Sequence, residues 1–107
     1  MAARRSAAAP IAVLCSGQGT NLQAIIDATR RKQLHARIAV VISDRADAFA
    51  LVRAQRAGIP ASYVDPKAFP NRTSFERRLI EILRSHGVRL VCLAGFMRVL
   101  SPVFVRH

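Results

Sequence analysis

Acidic side chains are scarce in this chain. Only 6 Asp and Glu stand against 17 Lys and Arg, giving a formal net charge of +11 over 107 residues. An excess of this size raises the question of nucleic acid. The basic residues, however, recur every few positions with no block and no interleaved aromatics, and tryptophan is absent. That scatter reads as solvated helix faces around a small anionic ligand and argues against a nucleic-acid partner. Cysteine occurs twice. Cys15 and Cys92 each sit inside an apolar run, as buried free thiols of a reducing compartment do, which points to the cytoplasm. No run approaches the roughly 18 apolar residues of a membrane span, so no membrane is expected. The three histidines, His35, His86 and His107, have no nearby carboxylate to orient them. No Cys/His spacing suggests a metal, and no convincing general acid or base emerges.

What is present is an alternation. The chain is 51% hydrophobic and of single-domain length, which is globular rather than disordered. Residues 1–10 read as a disordered extension. A secretory signal there would need cleavage near Ser16-Gly17, and that would destroy the first strand. Ile11–Cys15 is the first predicted strand, followed by a helix from Asn21 to about Arg31 with Leu22, Ile25 and Ile26 on one face. Ile38–Ile42 is a continuous apolar run of the kind buried in parallel sheets. A second helix is expected from about Asp47 to Ala57, stopped by Gly58 and Pro60. Ala61–Val64 is a third, weaker strand. Thr73-Ser74-Phe75-Glu76 reads as a capping box opening a third helix, with Phe75, Leu79 and Ile82 as its apolar stripe and Gly87 as its stop. Leu90–Leu93 is the fourth strand, and Ser101-Pro102 opens a last helical turn.

This order predicts an α/β fold: a doubly wound, Rossmann-like parallel sheet of about four strands in the order 3-2-1-4. Ligands of such sheets sit beyond the carboxyl ends of the strands, where the winding reverses. The loops Ser16–Asn21 and Gly95–Leu100 are therefore expected to meet at one crevice.

Gly17-Gln18-Gly19 is part of a dinucleotide fingerprint, but the position of the third glycine holds Leu22. Asp44, at the end of the second strand, keeps a dinucleotide reading open. No Gly-Lys-Ser/Thr follows, so a P-loop is excluded. Thr20 and Asn21 place short hydrogen-bonding side chains at a helix start, which suits a terminal phosphate monoester. Arg72 could pair with a carboxylate or phosphate, and Phe96, Met97 and Val99 could form an apolar slot for a flat ring. Asp27, Asp44 and Asp47 read as surface or cap residues.

Val13-Leu14-Cys15-Ser16-Gly17-Gln18-Gly19-Thr20-Asn21-Leu22-Gln23-Ala24-Ile25 closely resembles the start of the phosphoribosylglycinamide formyltransferases. Ser43-Asp44-Arg45-Ala46-Asp47-Ala48, Arg72, and Leu93-Ala94-Gly95-Phe96-Met97-Arg98-Val99-Leu100-Ser101-Pro102 match in the same order. The methionyl-tRNA formyltransferases share the fold, but their first loop is of a Gly-Thr-Pro type. The resemblance implies transfer of a formyl group from 10-formyltetrahydrofolate to the amine of glycinamide ribonucleotide, in purine biosynthesis. It implies that Gly19, Thr20 and Asn21 hold the ribonucleotide phosphate. Arg72, Met97, Arg98, Val99 and Leu100 would contact the folate, and no metal is implied. The family's asparagine, histidine and aspartate fall downstream of Ser101-Pro102, and no Asn-x-His-Pro stretch occurs here. Residues 11–107 are therefore expected to be the N-terminal part of one formyltransferase domain, cut before its catalytic half and inactive alone. An uncovered edge at Leu90–Leu93 could support self-association. The alternative reading is a stand-alone nucleotide- or nucleic-acid-binding module.

Overall fold

The computed structural model describes residues 8–33 and 35–94. The element order is β1 (Ala9–Cys15), α1 (Thr20–Arg30), β2 (Ala36–Ser43), α2 (Phe49–Arg56), β3 (Ala61–Tyr63), a 3-10 turn (Pro66–Ala68), α3 (Arg72–Ser85) and β4 (Leu90–Leu93). The strands form one parallel sheet in the order β3-β2-β1-β4. The predicted architecture and strand order are thus the observed ones.

Alternation along the two central strands sorts the core onto two faces. Ile11, Val13 and Cys15 of β1 join Leu22 and Ile26 of α1 and Ala50 and Ala54 of α2. Ala12 and Leu14 point the other way, to Phe75, Leu79, Ile82 and Leu83 of α3. Both faces are covered, which is why β1 and β2 read as unbroken apolar runs. Full burial of each Val, Leu, Ile or Phe side chain among these contributes about 1.5–3 kcal/mol, and the two central strands are the most completely buried of the four. Ile11 pairs with Ile38 but Ala12 pairs with Val40, so Ala39 is an extra residue in the ladder. That irregularity puts Ile38 and Val41 on one face and Val40 and Ile42 on the other.

Several boundaries differ from expectation. β1 starts at Ala9, and the Pro10 carbonyl accepts a hydrogen bond from the Arg89 N–H, so Ala9 and Pro10 belong to the sheet and not to an extension. Helix α2 starts at Phe49, two residues after Asp47. The preceding turn is closed by Ala48 N–H to the Arg45 carbonyl, and Arg45 pairs with Asp47 at 3.3 Å. The capping box at Thr73 does not form. Asn71 caps α3 instead, its side chain accepting from Ser74 N–H at 2.9 Å. Asn in extended backbone outranks Thr as a cap, and this choice leaves Thr73 inside the first turn. Glu76, expected to reach back to the cap, is buried. The loop before α3 holds a turn that the pattern does not suggest. Asp65 caps it through Lys67 N–H, and Phe69 packs edge-on against Phe75, ring centres 6.0 Å apart.

Helices α1 and α2 lie on one face and α3 on the other, so the winding reverses between β1 and β4. The loop leaving β1 opens at this point. Among the described residues β4 forms one edge of the sheet, with Leu90 and Leu93 about 60% and 58% exposed.

Candidate functional site

Residues 16–21 connect the most buried strand to α1. Ser16 is buried, while Gly17 and Gln18 are exposed. Gly19 is the N-cap of α1, in the left-handed region with φ +80°. A side chain there would be strained by the backbone alone. It would also collide with α2, because a Cβ on Gly19 would lie 2.7 Å from Ala50 Cα and 2.8 Å from Ala50 Cβ. Gly19 is thus required twice, by its own dihedrals and by the close approach of the next helix.

The consequence is an open helix end. The Gly19 carbonyl accepts from Gln23 N–H at 2.8 Å and starts the helical ladder. No side chain caps α1. The N–H groups of a helix's first turn have no partner within the helix, and they carry the positive end of its dipole. Thr20 and Asn21 are exposed at this end, so a hydroxyl and a carboxamide accompany the backbone donors. Such an arrangement suits an oxyanion with several acceptor oxygens.

Helix α2 holds the loop from behind. Ala50 N–H donates to the Gly17 carbonyl at 3.3 Å. Arg53 Nε donates to the Gln18 carbonyl at 2.8 Å, and its Nη1 donates to Gln23 Oε1 at 3.2 Å. Gln23 Nε2 in turn donates to Asp27 Oδ1 at 3.1 Å. The Arg53 guanidinium lies over the Phe49 ring, 4.9 Å from its centre. None of these α2 residues stands out in the sequence as part of a site. The one signal available is the small pair Ala50 and Ala54 at helical spacing, which marks a face where another segment comes close.

The thiol that ends β1 is not poised as a nucleophile. Cys15 is buried, and its Sγ contacts the Ile42 carbonyl at 3.9 Å. Burial first, and the negative charge of Asp44 second, push the thiol up to about 11, so it stays protonated. Asp44 is itself buried at the end of β2, against the expectation of a surface or cap residue. Asp47 is exposed and pairs with Arg45, and Asp27 is half-buried. Among the described residues no group of three or more His, Cys, Asp and Glu is gathered as a metal site. No helix among them is long and apolar enough to cross a membrane.

Gly19, Thr20 and Asn21 are brought together at one helix start. Arg72 is the first residue of α3, exposed, on the opposite face of the sheet. Met97, Arg98, Val99 and Leu100 lie outside the described residues. The chain leading to them runs beside β1, where Ala94 N–H donates to the Leu14 carbonyl at 2.8 Å.

Residues 9–107 match the protein family described as formyl transferase. Phosphoribosylglycinamide formyltransferase of Escherichia coli (strain K12) is 46% identical over 97 residues, which are 91% of this chain and 46% of that protein. The trifunctional purine biosynthetic protein adenosine-3 of Bos taurus is 47% identical over 92% of this chain and 10% of its own length. Among solved structures, glycinamide ribonucleotide transformylase 1 from Symbiobacterium toebii superposes with a TM-score of 0.89 at 52% identity, covering 92% of this chain and 47% of that one. The phosphoribosylglycinamide formyltransferase of Coxiella burnetii superposes with a TM-score of 0.86 at 48% identity, covering 94% and 47%. The chain therefore spans about half the length of the Escherichia coli, Symbiobacterium toebii and Coxiella burnetii relatives, and it corresponds to their N-terminal part.

Proposed function

The chain belongs to the formyl transferase family, and from that premise we propose that residues 16–21 seat the phosphate of glycinamide ribonucleotide. The observation that carries this reading is the open start of α1, where a left-handed Gly19 leaves the first turn uncapped by any side chain. A phosphate monoester offers acceptor oxygens enough for the backbone N–H groups, the Thr20 hydroxyl and the Asn21 carboxamide together. The formyl donor in this reading is 10-formyltetrahydrofolate, contacted by Arg72, Met97, Arg98, Val99 and Leu100. Its formyl carbon is attacked by the glycinamide amine, and the tetrahedral intermediate collapses by breaking the bond to the folate nitrogen, which gains a proton as the amine loses one, releasing tetrahydrofolate. The residues of this chain bind and orient in that scheme, and none is assigned a proton transfer. The free thiols Cys15 and Cys92 support placing the reaction in the reducing cytoplasm.

Thermal unfolding with and without glycinamide ribonucleotide tests the reading. A ligand that binds the folded state alone, present at 100 times its Kd, adds about 2.7 kcal/mol and raises the midpoint. The expected result is such a rise, with no formyl transfer by the 107-residue chain on its own. An unchanged midpoint, together with RNA binding that weakens steeply with salt, would favour the nucleic-acid module instead.

A further inference from the structure

We propose that Arg53 is a positioning residue for the phosphate loop: it fixes the plane of the Gln18–Gly19 peptide so that the Gly19 N–H faces the anion. The inference rests on the phosphate reading above and adds to it a residue outside the loop.

The peptide bonds described are all trans. In a trans peptide the C=O and the following N–H point in opposite directions. Whatever grips the Gln18 carbonyl therefore aims the Gly19 N–H the other way. Arg53 grips it with a charge-assisted bond of 2.8 Å from Nε. The guanidinium is itself held. Nη1 binds Gln23 Oε1 at 3.2 Å, one turn into α1, and the plane lies over Phe49 at 4.9 Å. A single side chain thus ties the loop, the helix whose open end it precedes, and the helix behind it. Gly19 cannot hold this peptide by itself, because glycine is the residue least restricted in its dihedrals. The Ala50 N–H bond to the Gly17 carbonyl fixes the preceding peptide but not this one. Lysine would keep the charge and lose the fork, since one ammonium cannot hold both oxygens in the planar geometry of the guanidinium.

Arg56 is the internal control. It lies on the same helix with its guanidinium 5.5 Å from the same Phe49 ring, and none of its described contacts reaches the loop.

The test compares the 107-residue chain with Arg53→Met, Arg53→Lys and Arg56→Met. Two quantities are measured: the 15N order parameter of Gly19 without ligand, and the affinities for glycinamide ribonucleotide and for unphosphorylated glycinamide riboside. In Arg53→Met the order parameter is expected to fall from the rigid range near 0.85 to below about 0.6. Affinity for the ribonucleotide should fall about tenfold, and affinity for the riboside less than twofold. Arg53→Lys should fall between wild type and Arg53→Met, and Arg56→Met should match wild type. Arg53→Lys keeps the charge and the length of the side chain, so it reports even where Arg53→Met folds poorly. An unchanged Gly19 order parameter in Arg53→Met overturns the proposal, as does an equal loss of both ligands. If wild type binds neither ligand, the phosphate reading fails separately, and the order parameter alone decides whether Arg53 braces the loop.

Discussion

Helices α1 and α3 both start at the carboxyl end of the sheet, yet their first turns are built differently. Helix α3 is closed by its own sequence, through the Asn71 side chain on Ser74 N–H. Helix α1 begins at a glycine that can offer no side chain, and Thr20 and Asn21 stay exposed. Both ends have the same unpaired donors and the same dipole. In α3 a side chain answers them for stability. In α1 the loop is shaped by a backbone conformation and a neighbouring helix, and no side chain caps the first turn. Helix α2 is a third case, because its Ala50 N–H is turned onto the glycine loop itself. The difference between α1 and α3 separates a helix start that supports the fold from one available to a ligand.

The largest expected effect comes from closing the open end. Gly19→Ala forces a side chain into the left-handed region, at about 1–2 kcal/mol, and into Ala50. Overpacking of that kind typically adds about 1–3 kcal/mol. Urea unfolding should show a loss of about 3 kcal/mol, and ribonucleotide binding should disappear with it. If Gly19→Ala binds as tightly as wild type, the contrast between the two helix starts has no functional content.

A smaller effect is expected from opening the closed end. Asn71→Ala removes the α3 cap and should cost about 1 kcal/mol. Its affinity for glycinamide ribonucleotide should remain that of wild type. A matched loss of affinity would mean that the two helix starts are not independent.

The smallest effect appears only in alkali. The open loop rests on the closed end of β1, where Cys15 is held protonated up to about 11, above its ordinary 9.0. Because the folded state holds this proton more tightly than the unfolded chain, its contribution is complete below pH 9 and is lost as pH rises through 11. Stability measured across that window should fall in wild type and fall less steeply in Cys15→Ala. Identical slopes would show that the thiol is not buried as described.

The sheet order and the glycine loop were legible because both are written locally. Continuous apolar runs mark the doubly covered strands, and two glycines followed by Thr20-Asn21 mark a turn into a helix. The α3 start was legible in kind but displaced, since Asn71 and Thr73 both suit a cap and the extended backbone of Asn71 decides between them. The extra residue at Ala39 leaves no local trace, because it exists only in the pairing of two strands. Arg53 was one of many scattered arginines, and its role depends on a carbonyl 35 residues earlier in the chain. Contacts of that separation are set by packing, and no spacing rule reveals them.

The central claim is that the open start of α1 is a phosphate seat. A titration of the 15N-labelled chain with glycinamide ribonucleotide, followed by amide shifts, tests it most directly. The account predicts saturable shifts largest at Gly19, Thr20 and Asn21, and none of comparable size at the capped start of α3. Saturable shifts centred on any other element, with residues 19–21 unmoved, would contradict it.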